Sequence, residues 1–289
     1  MNVMTFRSGQ WEVECLPDDG ARLSVLRFAG RDLLTAAPSQ FRPPQRDYGE
    51  YELRPVYGYD DCFPSVRPCD MPGGQTAHVR DHGELCWLRW DVAGQGNRLD
   101  CRVRSGILPA VHFRRTLLFA DTSLSWAFEV LNEGPEPIPF LHVIHPLMPL
   151  DQVVDLSLPR FAKRIEEGSE QPPIHETPRQ CADFLLKQPR GSAVMLLLQG
   201  LQEGHAAATF DGGMVLEMEF DPALFPTLGI WWNQAGYPDE DGCRRVECAL
   251  EPLPGSSSSL TESHAAGIHL TVPPAGHRTW EITWNMRKL

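Results

Sequence analysis

Apolar and polar residues alternate along this chain in short runs whose period is two, the repeat of a β-strand, far more often than 3.6. In VLEMEF, Leu216, Met218 and Phe220 fall on one face and Glu217 and Glu219 on the other, as in a half-buried antiparallel strand. In TWEITWNM, Trp280, Ile282, Trp284 and Met286 share a face, so the C-terminal segment reads as a core strand and not as a frayed tail. WEVECL, RLSVLRF, RLDCRVR, SLSWAFEVL, RRVECAL and GIHLTV are further strand-like runs, punctuated by 24 glycines and 26 prolines. One short helix is predicted, RQCADFLLKQP at 179–189, stopped by Pro189. A dozen or more strands with turn signals between them predict an all-β fold, a large antiparallel sandwich that occupies 1–289 as a single domain.

Composition narrows the partners. A chain of 289 residues with 42% hydrophobic content can bury a full core. Its formal charge of −12 argues against nucleic acid, where binding rests on clustered Lys and Arg. The first 20 residues hold no continuous apolar stretch and no segment reaches the length of a membrane span, so a cytoplasmic protein without a membrane partner is expected. Eight cysteines without Cys-x-x-Cys spacing read as reduced, packed thiols, and not as a zinc ribbon. Two irregular stretches, 37–74 and 166–189, are long enough to be ordered functional loops.

Candidate chemistry begins with FLHVIHPLM. In a regular strand His142 and His145, three apart, point to opposite faces, which weakens a shared metal, and Pro146 and Pro149 exclude a helix. His145 shares a face with Leu141, Val143 and Leu147, and His142 with Phe140 and Ile144; either can be a satisfied core histidine. RRVECALEPLPG puts Glu247, Ala249 and Glu251 on one face, with Glu251 ending the strand before Pro252, as a catalytic base or a solvated edge carboxylate. GIWWNQAGYP gathers Trp231, Trp232, Asn233 and Tyr237. Aromatic faces suit the C–H faces of pyranose rings and an amide reads hydroxyls, with one tryptophan expected in the core and the other in a pocket. DHGELCWLRW places His82 and Gly83 at the beginning of an expected strand, and YGYDDCFPSV is expected to form a polar, aromatic turn carrying Tyr57, Tyr59, Asp60 and Asp61.

Taken in order, PDDGARLSVLRFAGRDLLT, YGYDDCFPSV, DHGELCWLRW, VLNEGPEPIPFLHVIHPLM, GIWWNQAGYP and ALEPLPG resemble motifs of the galactose mutarotase-like superfamily, which includes the aldose 1-epimerases and hexose-6-phosphate mutarotases. The resemblance runs nearly the whole chain and implies a β-supersandwich with a sugar site on its concave face. It implies that Glu251 takes the proton of the anomeric hydroxyl, that His145 protonates the ring oxygen, and that His82 binds substrate. It adds Asp61, Trp231, Asn233 and Arg54 as substrate-binding candidates, Arg54 lying with Arg42 and Arg46 where a phosphate would be gripped. His142 matches no catalytic position, and the mid-chain Asp-His pair of the aldose 1-epimerases has no counterpart between Pro159 and Asp221, Asp211 being a poor substitute. Such chemistry needs an acid and a base and no cofactor. The expected function is an aldose 1-epimerase-like mutarotase acting on a monosaccharide. The alternatives are a non-catalytic carbohydrate-binding or regulatory protein and a polysaccharide-processing β domain, which would need two dedicated carboxylates along a long groove. An exposed sheet edge is the expected route to a homodimer.

Overall fold

The structure, a computed structural model, describes residues 2–289. The alternating runs form antiparallel sheets. The largest has eight strands, in the spatial order Val153–Ser157, His205–Phe210, Met214–Phe220, Gly276–Lys288, Ser123–Asn132, Val111–Phe119, Arg98–Arg104 and Asp91–Gln95. A second sheet runs Met4–Ser8, Trp11–Leu16, Arg22–Phe28, Tyr59–Cys62, Val143–Pro146, with the short strand Arg31–Asp32 also paired to Arg22–Phe28. A third runs Lys163–Glu166, Ser192–Gln199, Thr227–Gln234, Val246–Leu253. The second and third meet where Met148 and Cys248 exchange backbone hydrogen bonds of 2.7 and 3.0 Å. That junction brings the strand carrying His145 alongside the strand carrying Glu251.

The inward faces of the strands supply the core. Met218, Trp280, Ile282, Trp284 and Met286 are all buried, as their period-two placement requires. The Trp126 ring, on the eight-stranded sheet, lies 4.5 Å from Tyr59 of the second sheet and 5.0 Å from Trp284. Aromatic area of this kind contributes much of the burial that holds two sheets together.

The predicted helix forms over Pro178–Leu186. Thr177 and Gln180 close a reciprocal capping box, Pro178 sits in the first turn, and the chain leaves the helix before Pro189. A second helix, Leu260–Ala265, is six residues long, too short to leave a periodic signature. Three local expectations fail. His82 and Gly83 do not begin a strand; they form a left-handed turn with φ of 59° and 71°, followed by a single 3₁₀ turn at Leu85–Trp87. Gly83 is required there, because a Cβ would lie 2.1 Å from the Phe63 carbonyl oxygen. Tyr59–Cys62 is a strand and not a turn, and the strand of Glu251 continues through Pro252 to Leu253. All eight cysteines are free thiols. Among the described residues no helix is long and apolar enough to cross a membrane.

Candidate active site

Strand register builds the site. Tyr59–Cys62 pairs with Val143–Pro146 so that His145 faces Asp60 and Ile144 faces Asp61. The pleat then sends the two aspartates to opposite sides. On His145's side, its Nδ1 lies 3.2 Å from both Asp60 Oδ1 and Tyr51 Oη. The Tyr51 hydroxyl donates to Asp60 Oδ2 at 2.8 Å, and the buried Arg22 guanidinium is 3.1 Å from the same oxygen. Burial opposes charge on Asp60, but Arg22 and the His145 hydrogen bond hold its carboxyl well below the usual carboxylate range. An ionised Asp60 fixes the proton on His145 Nδ1 and turns Nε2 to the opening.

Nε2 of His145 lies 3.8 Å from Glu251 Oε1. Burial opposes protonation of His145, yet the Asp60 hydrogen bond and the Glu251 carboxylate outweigh it and raise the imidazole above its ordinary value. Glu251 is pushed the same way: burial raises its carboxyl from 4.5 to about 7, against the lowering influence of His145. A histidine whose proton is held more tightly than usual and a carboxyl raised to about 7 stand side by side, with Glu251 only 4% exposed and therefore no solvated edge carboxylate.

Both groups open onto a cleft of about 360 Å³ that is also lined by His82, Trp231, Tyr237 and Glu166. His82 stacks on Tyr51 with ring centres 3.8 Å apart, and its Nδ1 lies 2.9 Å from Asp81 Oδ1. Trp231 donates from Nε1 to Glu247 at 3.2 Å and meets Tyr237 edge-on. Its neighbour Trp232 is buried in the core. Arg245, 5.9 Å from the Tyr237 ring, forks onto Glu52 at 2.6 and 2.8 Å and onto Glu247 at 2.9 Å.

Three expected site residues stand elsewhere. Asp61 points into the interlayer core, where it accepts from Tyr59 at 2.6 Å, pairs with Arg115, and faces His142 Nε2 at 3.0 Å. Asn233 is fully buried; it donates to the Tyr237 carbonyl at 2.6 Å and accepts from the backbone N–H of Gly236 and Tyr237, so it shapes the turn that presents Tyr237. Arg54 bonds to Asp19 and the Cys86 carbonyl and lies behind the cleft wall. His142 belongs to the core as well. Trp280 Nε1 donates to its Nδ1 at 3.2 Å, which leaves the proton on Nε2 for Asp61, and burial holds its pKa below the ordinary value. Asp211 is a surface partner of Arg31.

Sequence reasoning noted Asp60 without selecting it for the site, and did not single out Tyr51, Glu166 or Glu167. Asp60 was legible in principle, since parity along DDC allows only one of the two aspartates to face the same way as His145. Tyr51, Glu166 and Glu167 lie within the two irregular regions or at their edge, where no periodicity assigns a direction. Glu167 accepts from the Ser258 N–H at 3.1 Å and from its hydroxyl at 2.5 Å. Glu166 forms no side-chain hydrogen bond among the described residues.

No family model and no curated protein matches this sequence. Solved structures do. The Slr1438 protein from Synechocystis superposes with a TM-score of 0.73 at 16% identity, over 100% of this chain and 96% of its own. A candidate aldose 1-epimerase from Escherichia coli K12 gives 0.71 at 17% identity, over 100% and 99% of the two chains. The fold is that of the galactose mutarotase-like proteins. A galactose mutarotase related enzyme from Lactobacillus acidophilus has it too, with a TM-score of 0.69 at 16% identity over 99% of this chain and 98% of that one. At such identity the architecture is what is shared, and the chemistry has to be argued from this chain's own side chains.

Proposed function

We propose that the protein interconverts the α and β anomers of a neutral monosaccharide, with Glu251 as general base and His145 as general acid. The observation that carries this reading is the buried pair at 3.8 Å, Glu251 Oε1 and His145 Nε2, opening onto a sugar-sized cleft with an aromatic wall. Ionised Glu251 removes the proton from the anomeric hydroxyl while Nε2–H of protonated His145 is given to the ring oxygen. The bond between the anomeric carbon and the ring oxygen breaks, leaving an open-chain aldehyde. After rotation about the adjacent carbon–carbon bond, the hydroxyl attacks the other face, His145 recovers its proton and Glu251 returns the first one. Asp60 acts as a positioning residue, because it orients the imidazole and stabilises its charged form.

A neutral substrate is favoured by the lining. Glu52, Asp81, Glu166, Glu167 and Glu247 surround the opening, Arg245 is already neutralised by Glu52 and Glu247, and Arg67 lies 3.4 Å from Glu262. A phosphate or uronate carboxylate would enter a field of like charge. A non-catalytic sugar-binding protein is the second reading, favoured by the absence of a counterpart to the mid-chain aspartate. Glu251→Gln and His145→Asn separate the two. On the enzyme reading both abolish accelerated anomer exchange while sugar binding, measured by calorimetry, persists. Sugar binding by a wild type that exchanges no faster than buffer supports the second.

A further inference from the structure

Beneath the acid–base pair lies a group of side chains that anomer exchange does not require as a set. Cys62 Sγ and a ring nitrogen of each of His82 and His145 all lie within 4.8 Å of one another. These residues are 20 and 63 positions apart, so no spacing in the sequence announces them. Each imidazole has a carboxylate behind it: Asp81 Oδ1 is 2.9 Å from His82 Nδ1, and Asp60 Oδ1 is 3.2 Å from His145 Nδ1. Two histidines whose Nδ1 atoms are engaged by carboxylates present Nε2 in the tautomer and orientation that metal-ligating histidines use. Glu251, with Oε1 3.8 Å from His145 Nε2, offers a fourth donor.

We propose that Cys62, His82 and His145 form a zinc-binding site, with the two histidines lining the cleft and Cys62 buried just beneath it, and with Glu251 or a water as the fourth ligand. Two nitrogens, one sulfur and one oxygen suit a tetrahedral, borderline-soft ion, with Zn–N about 2.0–2.1 Å and Zn–S about 2.3 Å. Those bond lengths set neighbouring donors roughly 3.3–3.8 Å apart, so the set must contract by about 1 Å. His82, the only one of the three that is partly exposed and lying on a turn, not in a strand, would supply most of that movement, sliding on the Tyr51 ring while it keeps Asp81. The ion enters through the cleft. Cys62 is buried and protonated, so binding forms the metal–sulfur bond and releases the thiol proton to solvent. Because the bound ion occupies Nε2 of His145, metal and sugar turnover exclude each other, and the site would act as an inhibitory metal switch on whatever chemistry the cleft performs.

The test uses the full chain, freed of metal with a chelator and titrated with Co²⁺ as a spectroscopic stand-in for Zn²⁺. The expected result is one ion per chain, a thiolate-to-cobalt charge-transfer band, and displacement by Zn²⁺. Cys62→Ser should remove the band and weaken Zn²⁺ binding at least about tenfold, and Asp81→Asn, which keeps all three ligands, should weaken it about 10–100-fold. Circular dichroism and a melting curve establish that both variants are folded; if Cys62→Ser is not, Asp81→Asn carries the test. A spectrum without the charge-transfer band, or an affinity unchanged in the folded variants, overturns the proposal. The optical readout needs no sugar, so its failure and the failure of the mutarotase reading are separate results.

Discussion

Replacing Glu251 by glutamine should make the protein more stable above neutral pH while removing its activity. The carboxyl titrates at about 7 in the folded chain against an ordinary value of 4.5. A folded-state pKa raised in this way means that stability is fully present below the ordinary carboxylate value and is lost as pH rises through about 7. At 1.36 kcal/mol per unit, ionising Glu251 at pH 8 costs the folded state about 3 kcal/mol. Charged Glu251 also raises the proton affinity of His145. That coupling returns part of the cost, so the net effect is expected at about 2–3 kcal/mol. The assay is urea unfolding of wild type and Glu251→Gln at pH 5 and pH 8. Because part of the cost is already present at pH 5, just above the ordinary carboxyl value, the stability difference should move in favour of the glutamine variant by about 2 kcal/mol between the two conditions, with the slope m unchanged. A difference independent of pH would show that Glu251 is not a buried, poised base, and the acid–base assignment would fall with it.

Other consequences follow from the same geometry. The rate constant kcat/KM for a neutral aldose should rise with pH as Glu251 ionises, at about 7, and should also show a descending limb, displaced upward from the ordinary imidazole value, as His145 loses its proton; a profile flat from pH 5 to 9 contradicts the pairing. Asp60→Asn removes the carboxylate 3.1 Å from the buried Arg22, which keeps Asp19 at 2.9 Å, so it should cost about 1–3 kcal/mol in chemical unfolding and shift the high-pH limb downward. The two histidines should behave oppositely: His142→Gln lowers the melting temperature and spares exchange, whereas His145→Asn spares the fold and abolishes exchange. Trp231→Ala should raise KM up to about tenfold with little change in kcat, as loss of a stacking wall does, in steady-state kinetics.

VLEMEF and TWEITWNM were legible because each buries one face, which writes period two directly into the sequence. The same logic correctly separated His142 from His145. The resemblance pointed to Asp61, whereas the register of Tyr59–Cys62 against Val143–Pro146, a long-range pairing with no local signature, sets Asp60 beside His145 and turns Asp61 to the core. Asn233 and Arg54 were misjudged for a related reason. A polar residue in a conspicuous motif can equally well satisfy buried backbone groups, and only the fold reveals that Asn233 closes a turn and Arg54 ties Asp19 to the Cys86 carbonyl. The anionic lining of the cleft comes from residues 52, 81, 166, 167 and 247, scattered through the chain, so sequence left the charge of the substrate open.

The central claim is tested most directly by magnetisation-exchange NMR between the two anomeric resonances of neutral, phosphorylated and acidic aldoses in the presence of the wild-type protein. The account predicts accelerated exchange with at least one neutral aldose and much weaker or no acceleration with its phosphorylated and uronate counterparts. Exchange no faster than in buffer for every neutral sugar, or acceleration confined to the charged ones, would contradict it.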